Sequence, residues 1–160
     1  MGFTFQGKLL ELKIVSMKKK SRNYLLIGGG ADEVNVRYAC HFTAPDPFLF
    51  VERKNEKHLL VSSLELGRAK SLNEEVVCHT AESLGLSPKA RRNLGKQALG
   101  LLKSLQLKRI HVSENCPIGV VRELEKGGIQ VLIAPSPVYP QRLLKTKPEI
   151  ASLRLSQRAS

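Results

Sequence analysis
Three groups of residues have the types and spacing to do chemistry. The first is Gly28-Gly29-Gly30, which follows the apolar run Tyr24 to Ile27. A dinucleotide-binding turn needs Gly-x-Gly-x-x-Gly opening a helix, so that backbone can approach a pyrophosphate, with an acidic residue about 20 residues on. Gly28 and Gly30 supply the first two places, but Glu33 occupies the third, and Asp32 and Glu33 put negative charge where the pyrophosphate would lie. No Gly-Lys-Ser/Thr follows, which removes a P-loop. The glycines read as a flexible turn at the carboxyl end of a strand.

The second group is the pair of dipeptides Cys40-His41 and Cys78-His79, with His111 and Cys116 further along. Thiolate and neutral imidazole are both zinc ligands. Neighbouring residues on a strand, however, point to opposite faces, and structural zinc sites space their ligands two to four residues apart. The cysteines read as small buried hydrophobes and no metal site is assigned. Cys40 or Cys116 could act as a nucleophile only beside a base, and nothing in the spacing selects His41 or His111 for that role. Paired carboxylates are scarce, since most acidic residues sit in surface-like contexts such as Glu74-Glu75. No catalytic set emerges.

The third group is basic. The chain carries a net charge of +12, with one run at Lys18 to Lys20 and Arg22 and another at Lys89, Arg91, Arg92 and Lys96. Such charge attracts polyanions without a dedicated site, so a basic nucleic-acid-binding module is the alternative reading of function. No nucleic-acid-binding motif and no aromatic platform accompany these residues, and the runs read first as solvated faces.

The elements that must position these groups follow from the apolar pattern. One hundred and sixty residues, 42% of them hydrophobic and 25% charged, suit one soluble domain, with a core of Leu, Ile and Val because Trp is absent. Three cysteines without close spacing favour a reducing compartment, and no apolar stretch resembles a signal sequence or a membrane span, so a cytoplasmic protein is expected. Residues 1–23 read as a leader or an early start, with Met17 as an alternative beginning. Tyr24 to Ile27 is a strand, and residues 34–42 fit either a short helix or extended chain. Phe48 to Glu52 and His58 to Ser62 form a hairpin about Asn55-Glu56. Short elements follow: a helix over 64–71 and a strand over 74–79.

The strongest pattern predicts one helix over 87–105, capped by Ser87 with Pro88 in its first turn, whose apolar stripe is Ala90, Leu94, Ala98, Leu101, Leu102 and Leu105. A strand over 109–113, a glycine-closed helix over 118–128 and a strand over 129–135 complete the alternation. Thr146 and Glu149 have capping-box spacing and start a last helix. A hairpin followed by strand–helix alternation implies an α/β fold, a mixed sheet with flanking helices.

Residues 35–71 carry a family likeness. Asn35, Val36, Tyr38 and Phe42, then Asp46, Pro47 and Phe48, then Glu65, Gly67, Arg68 and Ala69 resemble, in order and spacing, the N-terminal domain of the creatinase, prolidase and aminopeptidase P metallopeptidases. The tail from Lys145 is similar to that family's linker and first catalytic-domain helix. The chain departs from the pattern at Cys40-His41, where the family has Thr-Gly, and in a longer, more acidic tract about the glycines. The resemblance implies a ribonuclease-H-like arrangement of strands over residues 24–140, with 141–160 the linker and start of a missing catalytic domain. That domain would bind two divalent metal ions through two Asp, one His and two Glu. This chain would then be non-catalytic, a domain of a Xaa-Pro peptidase-like hydrolase that shapes substrate access and dimer assembly. Tyr38 and His41 are the residues the likeness places at the active-site approach or partner contact.

Overall fold
A computed structural model describes residues 22–30, 32–72 and 75–158. Apart from Arg22 and Asn23, the leader over 1–23 lies outside the described residues, as do Met17 and the basic run Lys18 to Lys20. The chain divides into two compact units, one containing the described residues up to Val138 and the other containing Tyr139 onward.

The first unit is built on six strands: β1 (Tyr24–Gly28), β2 (Phe48–Arg53), β3 (Glu56–Leu60), β4 (Val76–His79), β5 (Arg109–Val112) and β6 (Gln130–Ile133). Their order across the sheet is β4-β3-β2-β1-β5-β6. β2 runs antiparallel to both β1 and β3, while β1–β5, β5–β6 and β3–β4 are parallel. Five strands therefore end at one edge of the sheet and β2 begins there. This is the mixed sheet with flanking helices that the apolar pattern predicts, an antiparallel meander continued by parallel strands.

Five helices flank it: α1 (Glu33–Cys40), α2 (Leu66–Leu72), α3 (Pro88–Arg91), α4 (Leu94–Ser104) and α5 (Ile118–Lys126). Residues paired across a ladder share a face, so register sorts the core. Leu25, Ile27, Leu49, Val51, Leu60, Ile110 and Val112 form one face and pack with Ala98, Leu101 and Leu102 of α4 and Val120 and Leu124 of α5. Leu26, Phe48, Phe50 and Leu59 line the opposite face, where Phe42, just past α1, meets Phe48 edge-on at 5.0 Å between ring centroids.

Two sequence expectations need correction. The single helix over 87–105 is two helices. Asn93 is extended (φ −126°, ψ 112°) and its side chain accepts the Lys96 N–H at 2.9 Å, capping a new helix. Asparagine competes with the backbone in this way and favours caps over helix interiors. Ala90 consequently sits on α3, which buries nothing, and leaves the stripe. The hairpin turn is Lys54-Asn55 rather than Asn55-Glu56, since Arg53 pairs with Glu56 across the ladder. The segment over residues 34–42 is a helix over most of its length.

The second unit holds a 3₁₀ turn, Pro140–Leu143, and α6 (Lys147–Arg158). Thr146 and Glu149 cap each other: the Glu149 carboxylate accepts the Thr146 N–H at 2.7 Å and its hydroxyl at 2.8 Å. None of α6 is buried.

Candidate functional site at the carboxyl edge of the sheet
β1 and β5 are adjacent, and their following connections diverge, to α1 on one side and α5 on the other. Such a switch point is where open α/β sheets place ligands. Here the crevice holds protein groups instead. Asp32, 3% exposed, accepts the Ser113 hydroxyl at 2.7 Å, linking the loop after β1 to the loop after β5. Its second carboxylate oxygen lies 3.4 Å from the Asn35 amide nitrogen. Asp32 also begins α1, where its backbone oxygen accepts from Asn35 and Val36 and the helix dipole favours its charge.

The glycines serve this packing. Gly28 pairs with Phe48, and a Cβ on it would lie 2.1 Å from the Phe48 ring. Gly29 takes φ +73°, and a Cβ there would lie 2.8 Å from the Asp46 carbonyl oxygen. The Gly29 N–H, the donor a phosphate would seek, is bound to the Glu33 carboxylate at 2.6 Å.

The cysteines do not supply a nucleophile. Burial pushes the Cys40 and Cys116 thiols up to about 11, and the charge of Asp32 adds to the effect at Cys116, so both stay protonated at neutral pH. Cys40 donates to the Val36 carbonyl at 3.3 Å inside α1. Neither Cys-His dipeptide acts as a unit. Cys78 and His79 point to opposite faces of β4, and His111 approaches the Asn23 carbonyl at 3.3 Å. Among the described residues no group of three or more His, Cys, Asp or Glu side chains could hold a metal ion.

α1 turns Val36, Ala39 and Cys40 inward and leaves Tyr38 and His41 exposed. Tyr38 is 40% exposed, so core packing is not its role. His41 closes the helix in the left-handed region at φ 56°, its N–H bonded to the Arg37 carbonyl. That conformation costs glycine nothing, which explains why the resemblance puts Gly at this place. The loop after His41 is clamped by Arg68 on α2. Its guanidinium lies 4.5 Å above the Phe42 ring, donates to the Thr43 carbonyl and to Glu65 at 2.7 Å. The residues that carry the family likeness thus build and brace this loop. Reasoning from motifs missed one pair: His58 on β3 and His79 on β4, whose ring nitrogens are 3.2 Å apart. No signal in the sequence joins them, because the register between β3 and β4 decides that they share a face.

The second basic run lies on α3, at Arg92 just after it, and on the first turn of α4. Lys89, Arg92 and Lys103 are exposed, while Arg91 is held by the Leu86 carbonyl at 2.8 Å and Glu82 at 3.1 Å. Among the described residues no helix is long and apolar enough to cross a membrane.

No protein-family model and no curated protein matches this sequence. Solved structures do match. X-Pro aminopeptidase from Thermotoga maritima MSB8 is 16% identical, with a TM-score of 0.65 over 96% of this chain and 41% of that one. Prolidase from Pyrococcus horikoshii OT3 is 19% identical, with a TM-score of 0.61 over 90% of this chain and 37% of that one. An aminopeptidase P from Streptococcus thermophilus, 16% identical with a TM-score of 0.54, is matched over 86% of this chain and 97% of that structure. The chain therefore spans about two fifths or less of the first two. The fold of this chain is that of the N-terminal part of prolidases and Xaa-Pro aminopeptidases.

Proposed function
We propose that this chain is the non-catalytic N-terminal domain of a Xaa-Pro peptidase-like metallohydrolase, shaping substrate access and dimer assembly. The observation that carries the reading is the match to prolidase and aminopeptidase structures over most of this chain but only about 37–41% of theirs. The order of the braced residues about Phe42, Phe48 and Arg68 supports it. In this reading two divalent metal ions and their carboxylate and histidine ligands belong to a C-terminal catalytic domain. Tyr38 and His41, exposed on and just after α1, stand at its approach or against a second subunit. Three free thiols suit a reducing, cytoplasmic setting.

The test assays this chain with a Xaa-Pro dipeptide and a longer Xaa-Pro peptide, with Mn²⁺ or Co²⁺ added. The expected result is no turnover and no stoichiometric metal. Turnover by this chain alone overturns the non-catalytic role. Sedimentation across a concentration series is expected to show a reversible dimer, and a monomer at every concentration removes the assembly role.

A further inference from the structure
Two imidazoles meet at the outer edge of the sheet, away from the β1–β5 crevice. His58 is 6% exposed, and His79 is half-buried on the edge strand β4. Both lie on the face that carries Leu25, Val51 and Leu60. His58 Nδ1 is 3.2 Å from His79 Nε2, with ring centroids 5.4 Å apart and ring planes tilted by 31°. One of these two nitrogens must carry the hydrogen.

The rest of the site assigns it. His58 Nε2 is buried without a hydrogen-bond partner among the described residues and faces the Glu56 carboxylate at 3.7 Å. A bare ring nitrogen there would meet the carboxylate lone pairs, whereas an N–H is attracted to them. The hydrogen of His58 therefore sits on Nε2, its Nδ1 is the acceptor, and His79 Nε2–H donates to it. The one basic nitrogen left is His79 Nδ1.

A first proton enters at His79 Nδ1 and breaks no bond, because the imidazolium still donates to His58. A second must enter at His58 Nδ1. It removes the acceptor, ends the hydrogen bond and sets two cations 3.2 Å apart, one of them on a buried ring. We propose that His58 and His79 form an acid-sensitive latch on β4, in which the folded pair takes up one proton and excludes the second, so that acidification releases β4 from β3. The charged groups about the pair are Glu56, which favours protonation, and Arg53, 3.8 Å from Glu56, which opposes it. Burial depresses both imidazoles, and His58 lowers His79 further. The strand released is short: β4 pairs with β3 from Val76 to His79, and the Val61 N–H bonds the His79 carbonyl at 3.0 Å.

Because both folded-state values are depressed, the neutral pair stabilises the fold above the ordinary imidazole range, and that stability is lost as pH falls through it. Two free imidazoles of ordinary pKa against a folded pair limited to one proton raise the unfolding constant about tenfold between pH 6.5 and 5.5. The experiment is urea unfolding of this chain across that range, beside His58→Leu, which suits a row between Val51 and Val77, and His79→Gln, which keeps a donor to His58. His58→Leu is expected to lose most of the tenfold rise, whereas His79→Gln, whose amide still donates to His58 Nδ1, is expected to keep a rise of about fivefold from the buried His58 alone. Amide exchange, corrected for its intrinsic pH dependence, should quicken at Leu59 and Val61, whose N–H groups point to β4, before the β1–β2 ladder. Identical pH profiles in the three proteins, uniform exchange across the sheet, or ring NMR shifts showing both imidazoles charged in the folded protein would each overturn the latch.

Discussion

Replacing Gly28 by alanine isolates what the first glycine of the run is for. A Cβ at this position would stand 2.1, 2.3 and 2.6 Å from three carbons of the Phe48 ring, where about 3.5–4.0 Å is the contact distance. The ring would have to retreat by more than about 1 Å. It has little room, because Phe48 is 3% exposed and abuts Phe42, whose own ring lies under Arg68. Overpacking of this kind costs about 1–3 kcal/mol, and the pinned ring puts Gly28→Ala near the upper end. Alanine recovers about 0.5–1 kcal/mol through lower backbone entropy in the unfolded chain. The net loss is about 2 kcal/mol, which at a urea m-value of about 2 kcal/mol/M moves the unfolding midpoint down by about 1 M. Gly29→Ala meets both a left-handed φ and the Asp46 carbonyl, and should lose about 1–2 kcal/mol. Gly30→Ala meets nothing within 4 Å and should change stability by less than about 0.5 kcal/mol. Phe48→Leu, introduced beside Gly28→Ala, should return part of the loss as a favourable coupling in a double-mutant cycle. Equal effects at Gly28 and Gly30 would refute the packing account.

The remaining perturbations probe the edge and the loop. His41→Gly relieves a left-handed φ of 56° and should stabilise the chain by about 0.5–1 kcal/mol in urea unfolding, so a loss of stability would show that the imidazole makes contacts worth more than the backbone cost. Ser113→Ala leaves one oxygen of the buried Asp32 carboxylate without its donor and should cost about 1–3 kcal/mol; a cost below about 0.5 kcal/mol would mean that the Asp32–Ser113 bond does not hold the two loops together.

The strand–helix order was legible because each signal is local. Tyr24 to Ile27 and Phe48 to Val51 are apolar runs along their own strands, Ser87 caps by a bond within one turn, and the Thr146–Glu149 box spans three residues. Where two local signals competed, the apolar stripe from Ala90 to Leu94 hid the cap at Asn93, since periodicity is indifferent to one extended residue. The Lys54-Asn55 turn was misplaced for a related reason: the facing strand sets the register, and that strand lies outside any local window.

The candidate site was legible only in its exclusions. Glu33 in the third glycine place ruled against a phosphate cradle by its charge, and its carboxylate occupies the Gly29 N–H. What the sequence by itself determined about this protein is the class of fold, because hydrophobic alternation and caps act between neighbours along the chain. Tertiary structure decided which polar groups meet. Asp32 and Ser113 are 81 residues apart and share a buried hydrogen bond, and His58 and His79 are 21 apart and share one across two strands. Neither pairing has a sequence period, since it depends on which strands lie side by side in the sheet and on the register between them.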